Sequence, residues 1–196
     1  MEPEVPAGTF RLRYERTEGP ATITGHGTAF AVDLSGYGRN GVKWLLTAAH
    51  NVLDDGKPLK TLKVEFGKDW IPCRASSWDA DLDICLLESE TDPPGRMTLG
   101  EGDPKEGDGI AMIGSPKGKP LKEFKGTVTR QFERGNAKSS ARIPFEHGDS
   151  GGPILDSRGR VVGIAVAGVP KEGDLDKNIG LFVPLSAILA FLDRKD

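Results

Sequence analysis

The sequence predicts an all-β protein divided into two halves of similar size, and three observations carry that expectation. Glycine and proline, 26 and 14 of 196 residues, make up about a fifth of the chain against a usual eighth or so, which requires many turns. The apolar residues come in short runs separated by turn residues, the rhythm of antiparallel strands. Helical periodicity is nearly absent until the end of the chain.

In the first half the runs are Thr28 to Val32, Lys43 to Thr47, Leu62 to Phe66 and Ile84 to Leu87. In the second they are Gly109 to Ile113, Gly126 to Thr129, Pro153 to Leu155, Val161 to Ala167 and Gly180 to Val183. Between the halves, Glu90 to Lys105 contains Thr91-Asp92-Pro93-Pro94-Gly95 and Gly100-Glu101-Gly102-Asp103-Pro104, with little that could form a core. Leu185, Ile188, Leu189 and Leu192 fall on one helical face, so Leu185 to Arg194 reads as a closing helix. The expected division is a first half over residues 8–95, a second over 96–184 and a helix over 185–196, after a loose N-terminal end.

Charge and composition narrow the partners. The formal net charge is −3 with acidic and basic residues interspersed, so neither a nucleic acid nor a membrane surface is expected. No run of about 18 apolar residues occurs, and the opening MEPEVPAGTF has neither the basic nor the apolar part of a signal peptide. The expected location is cytoplasmic, the alternative being a mature domain cut from a secreted or larger precursor. Cys73 and Cys85 are expected as reduced thiols, Cys85 packing as a small hydrophobe, although a disulfide between them stays open. His26, His50 and His147 lack the spacing of zinc sites, so no metal and no cofactor is expected.

Three segments carry chemistry. In Gly148-Asp149-Ser150-Gly151-Gly152-Pro153 the glycines allow a sharp turn and close approach of substrate to the backbone. A serine hydroxyl there needs a base to take its proton and backbone N–H donors to meet a developing oxyanion; the Gly148 and Ser150 amides are the candidates. In Trp44-Leu45-Leu46-Thr47-Ala48-Ala49-His50 an apolar strand delivers an imidazole to the edge of a core, where it can act as base or merely cap the strand. In Asp81-Leu82-Asp83-Ile84-Cys85-Leu86-Leu87 an aspartate opens a strongly apolar strand, and a carboxylate at such a place needs a partner that a histidine N–H can supply. Asp83 abuts the apolar run directly and is preferred; Asp81 and Asp79 read as solvated turn residues.

The order His50, Asp83, Ser150, with TAAH, DICLL and GDSGGP around them, resembles the trypsin-like (chymotrypsin-fold) serine peptidases, and differs from the orders of subtilisin and the α/β-hydrolases. Gly25-His26-Gly27-Thr28-Ala29-Phe30 looks like the family's early glycine-rich strand, and Val161 to Gly168 like the strand lining its substrate groove. Ile179 to Pro184 followed by a helix is similar to the close of bacterial members, including the HtrA-like group. The resemblance implies two six-stranded antiparallel β-barrels with the active site in the cleft between them. It also implies a serine endopeptidase acting on polypeptide through an acyl-enzyme, with Ser150 as nucleophile, His50 as general base and Asp83 orienting the histidine.

Departures from the family pattern add further expectations. No segment of the form IVGG lies near the start to pair with Asp149, so Asp149 needs another partner, an arginine or lysine, or the oxyanion hole is held some other way; activation by N-terminal cleavage is not expected. The floor of the primary specificity pocket falls on Pro144, six residues before Ser150, with Phe145 beside it, and Val166, Ala167 and Gly168 as walls. A small or apolar substrate side chain is therefore expected there, with Val166 to Gly168 also offering a strand edge to substrate backbone. The segment Lys117 to Arg130, basic apart from Glu123, reads as a solvated hairpin or an acidic-substrate surface, and His147 as a pocket rim. The rival reading is a silent or partner-gated binding module on the same fold, regulated by another domain or protein.

Overall fold

A computed structural model of the chain describes residues 5–37, 39, 43–130, 138–169 and 179–194. The first six barrel strands follow a short-loop path: β1 (Thr9–Glu18), β2 (Ala21–Ala31), β3 (Trp44–Thr47), then a small hairpin of β4 (Leu53–Asp54) and β5 (Lys57–Pro58), then β6 (Thr61–Phe66), β7 (Asp69–Asp79) and β8 (Ile84–Ser89). They close as β1-β2-β3-β8-β7-β6, with β1 pairing back onto β6. The second barrel is built from β9 (Gly109–Gly114), β10 (Lys122–Arg130), β11 (Ser139–Arg142), β12 (Pro153–Leu155), β13 (Val161–Val169) and β14 (Ile179–Pro184), in the order β10-β11-β14-β13-β12-β9. Every pairing within the two barrels is antiparallel, so the expected architecture of two closed six-stranded barrels and a C-terminal helix, α1 (Leu185–Leu192), is what the chain adopts.

Three cores explain which strands read as continuous apolar runs. Leu45, Cys85 and Leu87 point into the first barrel, while Leu46, Ile84 and Leu86 point the other way into a core shared by both barrels. In β13, Val162 and Ala165 fill the second barrel, whereas Val161, Ile164 and Val166 join the shared core. A strand wedged between two cores buries both faces and loses the alternation of a half-exposed strand. Two strands with a wet face, β1 and β7, show no continuous apolar run. In β1, Phe10 and Leu12 alternate with Arg11 and Arg13, and in β7 most of every second position is exposed.

The turn-rich segment between the halves is a structural tie. Met97 pairs with Val32 of the first barrel, Leu99 pairs with Val161 of the second, and Met97 enters the shared core. Asp103 in the same segment accepts hydrogen bonds from the Ser186 amide at 2.8 Å and the Ser186 hydroxyl at 2.6 Å, fixing the start of α1. The helix ends at Leu192, two residues short of expectation, and Arg194 beyond it binds Asp79 of β7. Asp79 is therefore a docking point for the C-terminal helix, and also accepts from the Leu82 amide, instead of being a solvated turn residue. Both cysteines are free thiols inside or against the first barrel, and burial pushes the Cys73 thiol up to about 12. The loose N-terminal end expected from the sequence falls on residues 1–4, outside the described residues.

Candidate active site

His50 sits in one turn of 3-10 helix, Ala49–Asn51, directly after β3. The turn is held by Asp83, which stands at the mouth of β8 with a φ of 64°, a left-handed conformation that aspartate tolerates better than most residues. Its carbonyl accepts from the Ala49 amide at 3.2 Å, one carboxylate oxygen accepts from the His50 amide at 2.9 Å, and the other lies 2.7 Å from His50 Nδ1. Both acceptor oxygens of Asp83 are thus used on the same residue, which sets the ring's position and tautomer together. An ionised carboxylate can only accept, so Nδ1 is the donor in this pair, and a neutral ring then presents Nε2 as an acceptor.

Ser150 lies on the tight turn between β11 and β12 and is buried. Three glycines make that turn possible. A Cβ on Gly148 would stand 2.2 Å from the Ser115 carbonyl oxygen, one on Gly151 2.1 Å from that of Thr28, and one on Gly152 2.0 Å from that of Ile113. Gly148 and Gly151 also have φ of 99° and 88°. The peptides that carry the Gly148 and Ser150 N–H groups are aimed by their carbonyls. The His147 carbonyl accepts from the Lys117 amide at 2.6 Å, and the Asp149 carbonyl from the Gly152 amide at 3.0 Å. In a trans peptide the N–H points opposite to the C=O, so the Gly148 and Ser150 N–H groups are both turned away from these partners, and neither is hydrogen-bonded among the described residues.

The sequence reading left out the groups that hold this turn from the other barrel. Thr28 of β2 donates its amide to the Ser150 carbonyl at 2.9 Å and its hydroxyl to the Gly148 carbonyl at 2.8 Å. Asn51, next to His50, donates to the Ser150 carbonyl at 2.8 Å and to the Thr47 hydroxyl at 3.2 Å, and that hydroxyl donates to the Thr28 carbonyl at 2.7 Å. These are three buried polar side chains among apolar neighbours. Their legible signal is their type: Thr28, Thr47 and Asn51 in runs otherwise destined for a core must find partners there.

Asp149 has no cationic partner among the described residues. Its Oδ2 accepts the Glu146 amide at 2.8 Å while its own amide donates to the Glu146 carbonyl at 3.1 Å, so it clasps the turn that contains His147 and Gly148. Its Oδ1 has no hydrogen-bond partner among the described residues, and the space beside it exists because residue 114 is glycine. Burial, against the Glu146 amide and helped by the Glu146 charge, pushes the Asp149 carboxyl up to about 7.

The remaining predicted residues divide. His50, Ser150 and Gly148 line one groove of about 280 Å³ together with His26, His147 and Lys117. The Ser150 hydroxyl donates to the Val166 carbonyl at 3.3 Å, with no hydrogen bond to His50. Val166 contributes that carbonyl alone, because its side chain is buried in the shared core and cannot form a pocket wall. Pro144 is exposed, and the half-buried Phe145 ring lies against Gly168, where an added Cβ would meet it at 2.8 Å. Beyond Ile164, the β13 edge facing away from β14 has no strand partner among the described residues, leaving Val166, Ala167 and Gly168 open along that side. Lys117 to Arg130 is the connecting loop and second strand of the β9–β10 hairpin, its lysines exposed. No cluster of three or more metal-ligating side chains occurs among the described residues, and no helix among them is long and apolar enough to cross a membrane.

Comparison with known proteins agrees with this fold. The structure superposes on the Rv3671c protease of M. tuberculosis in its active form with a TM-score of 0.73 and 19% sequence identity, covering 94% of this chain and 79% of that one. For the inactive form the values are 0.71 and 18%, with 94% and 87% covered. Among curated proteins, the uncharacterized protein y4bJ of Sinorhizobium fredii is 26% identical over 178 residues. That match takes in 85% of this chain and 26% of the relative, so the chain spans about a quarter of its length. The trypsin-like peptidase domain matches residues 27–164, most of both barrels and all three segments that carry the candidate chemistry, and the chain belongs to the trypsin-like peptidase family.

Proposed function

We propose that the chain is a serine endopeptidase in which Ser150, His50 and Asp83 form the catalytic triad. The observation that carries the reading is the double engagement of His50 by Asp83 at the edge of the groove that also contains Ser150. The Ser150 oxygen attacks the scissile carbonyl carbon as its proton passes to His50 Nε2, and Asp83 stabilises the imidazolium that results. The negative charge that develops on the carbonyl oxygen is met by the Gly148 and Ser150 N–H groups. The tetrahedral adduct collapses when His50 returns the proton to the leaving amine, giving an ester on Ser150; water, deprotonated by the same nitrogen, then releases the acid. Attack requires the Ser150 hydroxyl to rotate from the Val166 carbonyl toward His50, a change of one side-chain torsion.

Substrate backbone pairs with the open β13 edge, and the pocket beside Phe145 and Gly168 takes a small or apolar side chain, since no charged group stands among the residues assigned to it. A partner-gated version of the same enzyme is favoured by one observation, the hydroxyl parked on Val166. Labelling with a fluorophosphonate tests the reading. Wild type should label, while Ser150→Ala and His50→Ala should not; equal labelling of all three would dismiss it. A partner-gated enzyme would label slowly alone and faster with its partner, and a peptide library that returned cleavage only after arginine would refute the pocket assignment.

A further inference from the structure

With no cation on Asp149 among the described residues, the direction of the Gly148 N–H depends on what holds the His147 carbonyl, and that is the Lys117 amide at 2.6 Å. Lys117 stands in the loop between β9 and β10, with φ 55° and ψ 30°, a conformation costly for a side chain larger than glycine unless its surroundings enforce it. Gly118 follows with φ 72°, and a Cβ there would lie 2.6 Å from the His26 ring. At its start the loop is fixed by the Ser115 amide on the Thr28 hydroxyl at 3.1 Å. At its apex the Gly118 carbonyl accepts from Arg11 Nη1 at 2.9 Å, across from the first barrel.

Arg11 is itself aimed. Its Nε and Nη2 engage the two carboxylate oxygens of Glu65 on β6, the strand paired with β1, and the guanidinium lies 5.5 Å from the centre of the Trp70 ring. A guanidinium is planar and rigid, so once the fork on Glu65 is made the direction of Nη1 is determined. Side-chain exposures of 25% for Arg11 and 19% for Glu65 place this pair above an ordinary surface ion pair in persistence.

We propose that Arg11 is a positioning residue for the oxyanion hole: through the Gly118 carbonyl it holds the loop whose Lys117 amide fixes the His147 carbonyl, and so keeps the Gly148 N–H turned toward the groove. The proposal rests on the peptidase reading above. Its chain runs from Glu65 and Arg11 in one barrel to Gly118, Lys117, His147 and Gly148 in the other, each link a hydrogen bond or a shared peptide.

The test is steady-state kinetics on a fluorogenic peptide, together with the inhibition constant of a peptide aldehyde that forms a tetrahedral adduct on Ser150, for wild type, Arg11→Ala, Arg11→Lys and Glu65→Gln. Losing control of one oxyanion donor should lower kcat about 10-fold in Arg11→Ala, less than the 10²–10³ of deleting a donor outright. KM should stay within about 2-fold and aldehyde affinity should fall in parallel with kcat. Arg11→Lys, which keeps the charge beside Glu65 but cannot fork to it and reach Gly118 together, should retain the thermal midpoint and still show the lowered kcat. If Arg11→Ala does not fold, Arg11→Lys and Glu65→Gln decide. Wild-type kcat and aldehyde affinity in folded Arg11 variants would overturn the clamp alone, as would losses in which KM and thermal midpoint move and aldehyde affinity does not. A wild-type protein that neither labels nor turns over would overturn the peptidase reading, and the clamp with it.

Discussion

The His50 side and the Ser150 side of the candidate site are built differently. His50 and Asp83 sit at neighbouring strand ends of one barrel and are joined by three hydrogen bonds, two to the carboxylate and one to the Asp83 carbonyl from Ala49. The turn carrying Ser150 belongs to the other barrel, yet Thr28 and Asn51 of the first barrel grip it alongside the Lys117 loop of its own. The His50 side is thus complete within its own barrel, whereas the Ser150 side is a joint product of two. Packing of the shared core, with Phe30, Leu46 and Leu86 against Ile113, Ile164 and Val166, is what brings the second set of groups into register.

The comparison breaks most sharply at Asp83. In Asp83→Asn one carboxamide oxygen cannot accept both the His50 amide and the ring N–H, so the ring loses its tautomer control and kcat should fall by about 10⁴-fold. A variant within about 10-fold of wild type would remove Asp83 from the assigned role.

A smaller effect is expected across the interface. Asn51→Ala removes a donor from the Ser150 carbonyl, which then depends on the Thr28 amide alone, and should cost about 1–3 kcal/mol of stability along with a measurable loss of kcat. Chemical denaturation and kinetics of the same preparation check this. Unchanged stability and turnover would mean that the nucleophile turn holds itself and that the contrast between the two sides is false.

The smallest effect is on pH dependence. The Asp149 carboxyl is pushed from an ordinary 3.8 up to about 7, chiefly by burial, so the folded chain binds this proton more tightly than the unfolded one. Stability therefore decreases as pH rises from about 4 to about 7 and stays at its lower level above that. Asp149→Asn keeps an acceptor for the Glu146 amide and removes the ionisation, so its thermal midpoint should exceed that of wild type at pH 8, with the gap closing toward pH 4. A gap that does not change with pH would show that Asp149 is ionised without penalty, and a cation would then have to be found for it.

Much of the site was legible because its chemistry lies in contiguous segments. Ala48-Ala49-His50, Asp83-Ile84 and Gly148 to Pro153 each carry a residue type, its small neighbours and the strand that delivers it within a few positions. Asp149 shows the opposite case. Either an arginine or lysine partner or some other hold on the oxyanion hole was expected, and among the described residues the chain closes its own turn on Asp149 through the Glu146 amide, a local bond that leaves no mark in residue type. Arg11, 107 positions from Gly118, and Asn51, 99 from Ser150, could not be matched to their partners by any pattern in the chain.

The sequence alone determined that the chain is all-β, that it has two halves and a closing helix, and which three side chains stand at strand ends and a glycine turn. Those features follow from local backbone preference and from whether a strand buries one face or two. The tertiary structure decided which buried polar groups meet across the two barrels, that Val166 offers a carbonyl and not a side chain, and where the Gly148 and Ser150 amides are aimed. Such pairings depend on the register of closed barrels and on the packing between them, and hydrogen-bond direction is set only when both partners have been brought into place.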